Sequence, residues 1–138
     1  MDNSLSTKLK ISLLFIRISI FLVFLMWTLD KIFNPEHGSK IFEMFYGLTV
    51  TTEVMMVLGF LQLAFVVAFG LGLWKKWVYL AVLVLHAGST FSSLPLYFDP
   101  FNNLLFFAAW PMLAACFILF MLKEYDTWDV YLFNNKAS

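Results

Sequence analysis

Four apolar runs, each about twenty residues long, dominate this chain of 138 residues. They cover about 9–29, 50–73, 78–98 and 102–122. An α-helix needs about 20 apolar residues to cross the hydrocarbon core of a bilayer. Inside lipid the backbone must satisfy its own hydrogen bonds, which a helix does. The runs therefore predict an all-α fold, an integral membrane four-helix bundle, with residues 1–138 forming a single domain.

The composition supports a membrane environment. Hydrophobic residues make up 62% of the chain and charged residues 13%, whereas soluble domains average about 45–50% apolar and about 25% charged residues. A water-soluble helical bundle is the disfavoured alternative, because it would leave a large apolar area exposed to water. The net charge of zero offers no basic surface for nucleic acid. The single cysteine, Cys116, excludes an internal disulfide.

The distribution of lysines predicts the orientation. The first apolar run is too long for a signal peptide and lacks a small-residue cleavage site, so we expect it to be retained. Two lysines, Lys31 and Lys40, fall on one side of the predicted bundle. The other side carries six, which are Lys8, Lys10, Lys75, Lys76, Lys123 and Lys136. Basic residues favour the cytoplasmic face, which predicts a multi-pass protein of the bacterial cytoplasmic (inner) membrane with both termini cytoplasmic.

The connection between the first two runs, "DKIFNPEHGSKIFEMFYG", predicts a short amphipathic outer helix. Ser39 is a candidate cap. Ile41, Phe42 and Phe45 share one face in helical spacing, with Glu43 on the other. The alternative is an ordinary loop with apolar residues at chance positions.

Arg17 is the first candidate site residue, because charged side chains are costly inside a membrane and usually face the protein interior. It shares a helical stripe with Lys10, Phe24, Thr28 and Lys31. One interpretation is an inward-facing arginine that binds a carbonyl, an anion or a partner carboxylate. The other is that the side chain extends to the headgroups.

His86 is the second candidate, in the polar stretch "LVLHAGSTFSSLPLYF". The residues His86, Ser89, Thr90 and Ser93 follow the spacing of one helix face. Counted from the ends of their runs, His86 and Arg17 lie at the same depth, which predicts that they meet. A buried histidine can hold a proton near neutral pH, whereas the hydroxyls can also serve as structural hydrogen-bonding groups between helices.

Three further features complete the predicted sites. Gln62 lies near mid-membrane between Gly59 and Gly70, which permit close helix packing. Asp30, Lys31 and Glu53 form an expected outer-end polar cluster, either as a Glu53–Lys31 ion pair or as a carboxylate at a cavity mouth. Pro111 is expected to leave the Phe107 carbonyl without its helical partner. The predicted ligand-binding set is Arg17, Gln62, His86, Ser89 and Thr90, with apolar walls from Phe21, Phe24 and Met56.

Several kinds of site are not expected. A haem held by two histidines needs a second membrane histidine, and His37 lies in the outer connection. No carboxylate-rich metal site is expected either.

The chain resembles the DoxX-like family of small four-helix bacterial membrane proteins. The resemblance runs through "RISIFLVFLMWTLDKIFNP", "GSKIFEMFYGL" and "EVMMVLGFLQLAFVVAFGLGLW", then through the short basic turn and the polar third run. It implies an accessory subunit of a redox or quinone-linked membrane assembly, with quinone as the candidate ligand. The alternatives are a non-catalytic scaffold that binds another membrane protein, or a small lipid or metabolite carrier. The expected partners are the lipid bilayer and either another membrane protein or further copies of the chain in a homo-oligomer. A shared fold does not by itself give a shared function.

Overall fold

The structure, a computed structural model, describes residues 3–131, and the regular secondary structure of this part is entirely helical. The all-α prediction is therefore confirmed for these residues. Lys136, used above for the orientation, lies outside them. The α-helices are α1 (Asn3–Phe33), α2 (Pro35–Tyr46), α3 (Thr52–Gly70), α4 (Lys75–Ser92) and α5 (Ala109–Met121). Short 3-10 helices cover Leu94–Phe98, Pro100–Asn102, Leu104–Ala108 and Lys123–Tyr125.

Three helical stretches in the described part are long and apolar enough to cross a membrane. They are Asn3–Phe33, Thr52–Gly70 and Leu104–Met121. Large apolar side chains such as Phe15 and Leu61 are exposed on them, which is typical of surfaces that face lipid. The third predicted run is the exception, since α4 carries the polar stripe and is not among the three stretches.

The third and fourth runs are less regular than predicted. The α-helix of the third run ends at Ser92 rather than near 98, and Pro95 lies in the 3-10 helix that follows. In the fourth run the α-helix begins only at Ala109, so Pro111 lies in its first turn. The N–H groups of a first turn have no intrahelical partner in any case. Pro111 still supplies no N–H to the Phe107 carbonyl, but it lies at the start of α5 rather than in the interior of a helix.

The short amphipathic helix predicted between the first two runs is confirmed as α2, although its start was misplaced. It begins at Pro35, whose fixed φ suits the first helical position. Ser39 is not the cap, because it lies in the second turn and its hydroxyl donates to the Pro35 carbonyl at 2.9 Å. The expected face is half-buried and comprises Ile41, Phe42 and Phe45.

Glycines set the close packing of α3 against α1, as predicted. The two helices run antiparallel. A Cβ atom on Gly59 would lie 2.7 Å from Ile32 Cγ1, and one on Gly70 would lie 2.7 Å from Phe21 Cδ2. α4 packs mainly on α5, and α2 packs on the C-terminal end of α1 and the N-terminal end of α3. The main apolar core comprises Leu13, Ile20, Phe69, Val78, Tyr79, Val82, Cys116 and Leu119.

A tight turn joins α3 to α4 at the end opposite α2. Gly72 and Trp74 both adopt the left-handed conformation there, with φ of 71° and 43°. The residues after α5 return to this turn, and the Val130 N–H donates to the Leu71 carbonyl at 3.3 Å. We call residues 123–131 the C-terminal strap. It brings groups from the end of the described chain onto α1 and α4.

Candidate functional site

Arg17 is buried, with only 2% of its surface exposed, and its partner is a carboxylate of the C-terminal strap. Its Nη1 donates to Asp126 Oδ2 at 2.8 Å and to the Tyr79 hydroxyl at 3.1 Å. Its Nη2 donates to the Trp128 carbonyl. Asp126 is fully buried. Of the earlier interpretations, the structure favours an inward-facing arginine bound to a carboxylate over one that reaches the headgroups.

Groups from α4 complete what we call the Arg17 cluster, defined as Arg17, Lys75, Tyr79, Asp126 and Asp129. The Tyr79 hydroxyl donates to Asp126 Oδ2 at 2.5 Å. Lys75 donates to the Asp126 carbonyl and to the Asp129 carboxylate. Two basic and two acidic side chains thus balance one another, which is the condition for burying charge at tolerable cost.

The α3–α4 turn leaves space for this cluster because residue 72 is glycine. A Cβ atom at Gly72 would lie 2.5 Å from Arg17 Nη1 and 2.8 Å from Asp129 Cβ. The positive φ of this residue independently favours glycine. The turn and the buried arginine therefore depend on each other.

Two polar atoms of the cluster have no hydrogen-bond partner among the described residues. They are Arg17 Nε, a donor, and Asp126 Oδ1, an acceptor, and both are buried. Unsatisfied buried polar groups are uncommon because each costs about 1–3 kcal/mol. The cluster can therefore still form two hydrogen bonds with a small polar group. Arg17 Nε would donate one, and Asp126 Oδ1 would accept the other.

The structure does not bring Arg17 and His86 together. Arg17 contacts Tyr79, whereas the ring of His86 contacts Phe24 at a centroid distance of 6.4 Å. Both contacts pair α1 with α4, and they lie seven residues apart on each helix, or about 10 Å at 1.5 Å per residue. The predicted match fails because depth was counted from the ends of the apolar runs, whereas α1 already begins at Asn3.

His86 and its neighbours make hydrogen bonds within the chain. His86 Nε2 lies 3.0 Å from the Ala109 carbonyl, which links α4 to α5. Thr90 is buried and donates to the His86 carbonyl at 2.8 Å. Ser89, predicted on the same buried face, has an exposed side chain. Gln62 is half-buried and makes no hydrogen bond with residues 3–131. These four residues and Arg17 therefore do not surround one pocket, and Met56 is exposed rather than a pocket wall.

The predicted outer-end cluster is divided between separate contacts. Asp30 Oδ2 lies 2.7 Å from His37 Nδ1 of α2. Lys31 donates to the Trp27 carbonyl at 3.4 Å. Glu53 is exposed, and within the described chain it forms no ion pair with Lys31.

Sequence reasoning missed Asp126, the central residue of the cluster. The signal is present in "KEYDTWD", where three carboxylates follow the last apolar run directly, on the side that the lysines occupy. A buried arginine requires a carboxylate, and none lies within the four apolar runs except Glu53 at the far end. The requirement of charge balance alone therefore pointed to this segment.

Within residues 3–131, the side chains of His, Cys, Asp and Glu form no group of three that could hold a metal ion. Comparisons with protein-family models, with curated proteins and with solved structures found no match. The DoxX-like resemblance therefore stays a prediction from the sequence.

Proposed function

We propose that this chain is a DoxX-like integral membrane protein that acts as an accessory, non-catalytic subunit of a membrane assembly. In this proposal α1, α3, α4 and α5 form a four-helix bundle in the bacterial inner membrane, with both termini cytoplasmic. Three apolar stretches of spanning length and the exposed apolar side chains on them support membrane insertion. The extensive packing of α1 on α3 and of α4 on α5 supports the bundle.

The state of Arg17 carries the non-catalytic part of the proposal. This residue was the strongest candidate for binding a ligand, and its own chain supplies its carboxylate, phenol and carbonyl partners. His86 is likewise engaged by the Ala109 carbonyl. The exposed apolar helix faces then remain as the surface for a protein partner, and membrane helices associate by van der Waals packing of such faces.

Photo-crosslinking in living cells tests this proposal. Benzoylphenylalanine is placed singly at Phe15 on α1, Leu61 on α3 and Phe117 on α5. We expect a discrete adduct with a second membrane protein from one of these helix faces and not from the others. Glu43, exposed on α2, is the matched control and should give none. Monomer-sized product at all three positions would contradict the proposal.

A quinone-linked site is the second candidate function, favoured by the unpartnered Arg17 Nε. A quinone carbonyl can accept a hydrogen bond from this N–H. Arg17→Lys retains the charge opposite Asp126 but lacks the Nε donor. We expect purified wild-type protein to carry quinone detectable by mass spectrometry, and Arg17→Lys to carry much less. Equal quinone in the two proteins, or none in the wild type, would exclude this site.

A further inference from the structure

The connection between α4 and α5 exposes large apolar side chains. We call residues 94–108 the outer loop. Four of its side chains, Phe98, Phe101, Leu104 and Leu105, are exposed by 84%, 87%, 63% and 89%. Phe45 of α2 contacts Phe106, so the loop lies at the same end of the molecule as α2. An aqueous loop would normally direct polar side chains outward.

The polar side chains of the outer loop are paired locally, although Asp99 and Asn102 are themselves exposed. Asn102 Nδ2 donates to Asp99 Oδ2 at 2.9 Å, and Asn103 Nδ2 donates to the Asp99 carbonyl at 2.9 Å. The backbone N–H groups of Asp99 and Asn103 donate within their 3-10 helices, to Leu96 and Pro100. Proline at 95 and 100 leaves no N–H to satisfy. Local pairing of backbone groups is what a lipid environment demands.

The length of α5 indicates how deep the outer loop lies. α5 has 13 residues, which span about 20 Å at 1.5 Å per residue. A bilayer core is about 30 Å thick. The 3-10 helix Leu104–Ala108 has 5 residues and adds about 10 Å at 2.0 Å per residue. The fourth run therefore crosses the core only if Leu104 and Leu105 lie at its outer boundary.

We propose that the outer loop is seated in the outer leaflet, with Phe98 and Phe101 among the lipids at the boundary between headgroups and acyl chains. The occupant of this surface is bilayer lipid, because the exposed side chains continue directly into the candidate span Leu104–Met121. Aromatic side chains favour this boundary. The loop then anchors α4, the helix that lacks the apolar character of the other three. This inference rests on the membrane insertion proposed above.

Spin labels in the full chain test the inference. Single cysteines are introduced in a Cys116→Ser background, labelled with a nitroxide and reconstituted in phosphatidylcholine nanodiscs. Phe101→Cys reports on the outer loop. Glu43→Cys on the polar face of α2 is the aqueous control, and Phe117→Cys on α5 is the hydrocarbon control. Collision rates with oxygen and with a water-soluble nickel complex are measured by power saturation.

We expect the label at 117 to collide mainly with oxygen and the label at 43 mainly with nickel. The label at 101 should give an oxygen-to-nickel ratio between the two and several-fold above that at 43, because it lies at the headgroup boundary. If the label at 101 collides with nickel as often as the label at 43 does, while the label at 117 collides mainly with oxygen, the outer-loop inference is overturned. Membrane insertion would then still stand. Low collision with both probes at 101 would also overturn it, since a partner protein or second copy would then cover the loop. Nickel access at 117 would instead contradict the proposed membrane protein.

Discussion

At the scale of single residues, the most consequential one is Arg17. An isolated charge in an apolar interior is so costly that it must be paired. Arg17 is paired with Asp126, which lies 109 residues away in the sequence. The Tyr79 hydroxyl forms hydrogen bonds with both side chains. The net benefit of such a buried pair over apolar residues is small, but the loss of one partner is costly because the other charge stays buried.

Replacing Asp126 by asparagine is therefore expected to lower the free energy of unfolding by about 3–5 kcal/mol. Asp30→Asn, in the partly exposed Asp30–His37 pair, is the control and should cost less than about 1 kcal/mol. Both are measured by denaturant titration in detergent micelles, followed by circular dichroism. The double variant Arg17→Met with Asp126→Leu should lose less unfolding free energy than the sum of the losses that Arg17→Met and Asp126→Leu cause separately. Strict additivity would show that the pair does not couple.

Gly72 offers a second test of the Arg17 cluster. Gly72→Ala and Gly47→Ala both place alanine in the left-handed conformation, at about 1 kcal/mol each. At residue 72 the new Cβ would meet other atoms, including Arg17 Nη1. At residue 47 it would have no atom within 4 Å. We expect Gly72→Ala to cost about 1–3 kcal/mol more than Gly47→Ala in the same unfolding assay. Equal losses would mean that the turn tolerates the clash.

At the scale of helices, close packing depends on where small residues lie. α3 approaches α1 at Gly59 and Gly70, whereas α4 is linked to α5 through the His86–Ala109 hydrogen bond. The polar stripe on α4 does not act as one unit, since Thr90 and Ser93 are buried while Ser89 is exposed. Periodicity indicates a shared face, but the extent of burial along that face depends on which neighbour covers each turn.

Gly59→Ala is expected to destabilise the protein, because its Cβ would lie 2.7 Å from Ile32 Cγ1. The expected loss of unfolding free energy is about 1–3 kcal/mol. Gly88→Ala on α4 is the matched control, since no neighbouring atom lies within 4 Å. That change should be neutral or stabilising by up to about 1 kcal/mol through helix propensity. A loss at both positions would point to a general intolerance of alanine rather than to the α1–α3 contact.

At the scale of the whole molecule, the described part has two different ends. One carries α2 and the outer loop. The other carries the α3–α4 turn, the C-terminal strap and the Arg17 cluster. Lys75 and Lys76 lie at the strap end, while Lys40 lies on α2. By the positive-inside rule, this distribution supports the proposed orientation, in which the strap end faces the cytoplasm.

Cysteine labelling in spheroplasts tests this orientation. In a Cys116→Ser background, a membrane-impermeant maleimide is expected to label Lys40→Cys directly. It should label Lys76→Cys only after permeabilisation. Both positions are exposed, so neither result depends on burial. Direct labelling at 76 with protection at 40 would reverse the proposed topology.

The sequence by itself determined the helical class, the apolar segments and the amphipathic face of α2, and it marked Arg17 as a charge that needs a partner. These follow from local periods and from the cost of placing charge in an apolar environment, both of which are readable along a single helix. The tertiary structure decided which α4 residue meets Arg17, where the helices of the third and fourth runs end and begin, and that the strap supplies Asp126. Such facts depend on the axial offset between helices and on the path of the chain after α5. Many offsets satisfy the same apolar pattern, so only the packing of all the elements together selects one.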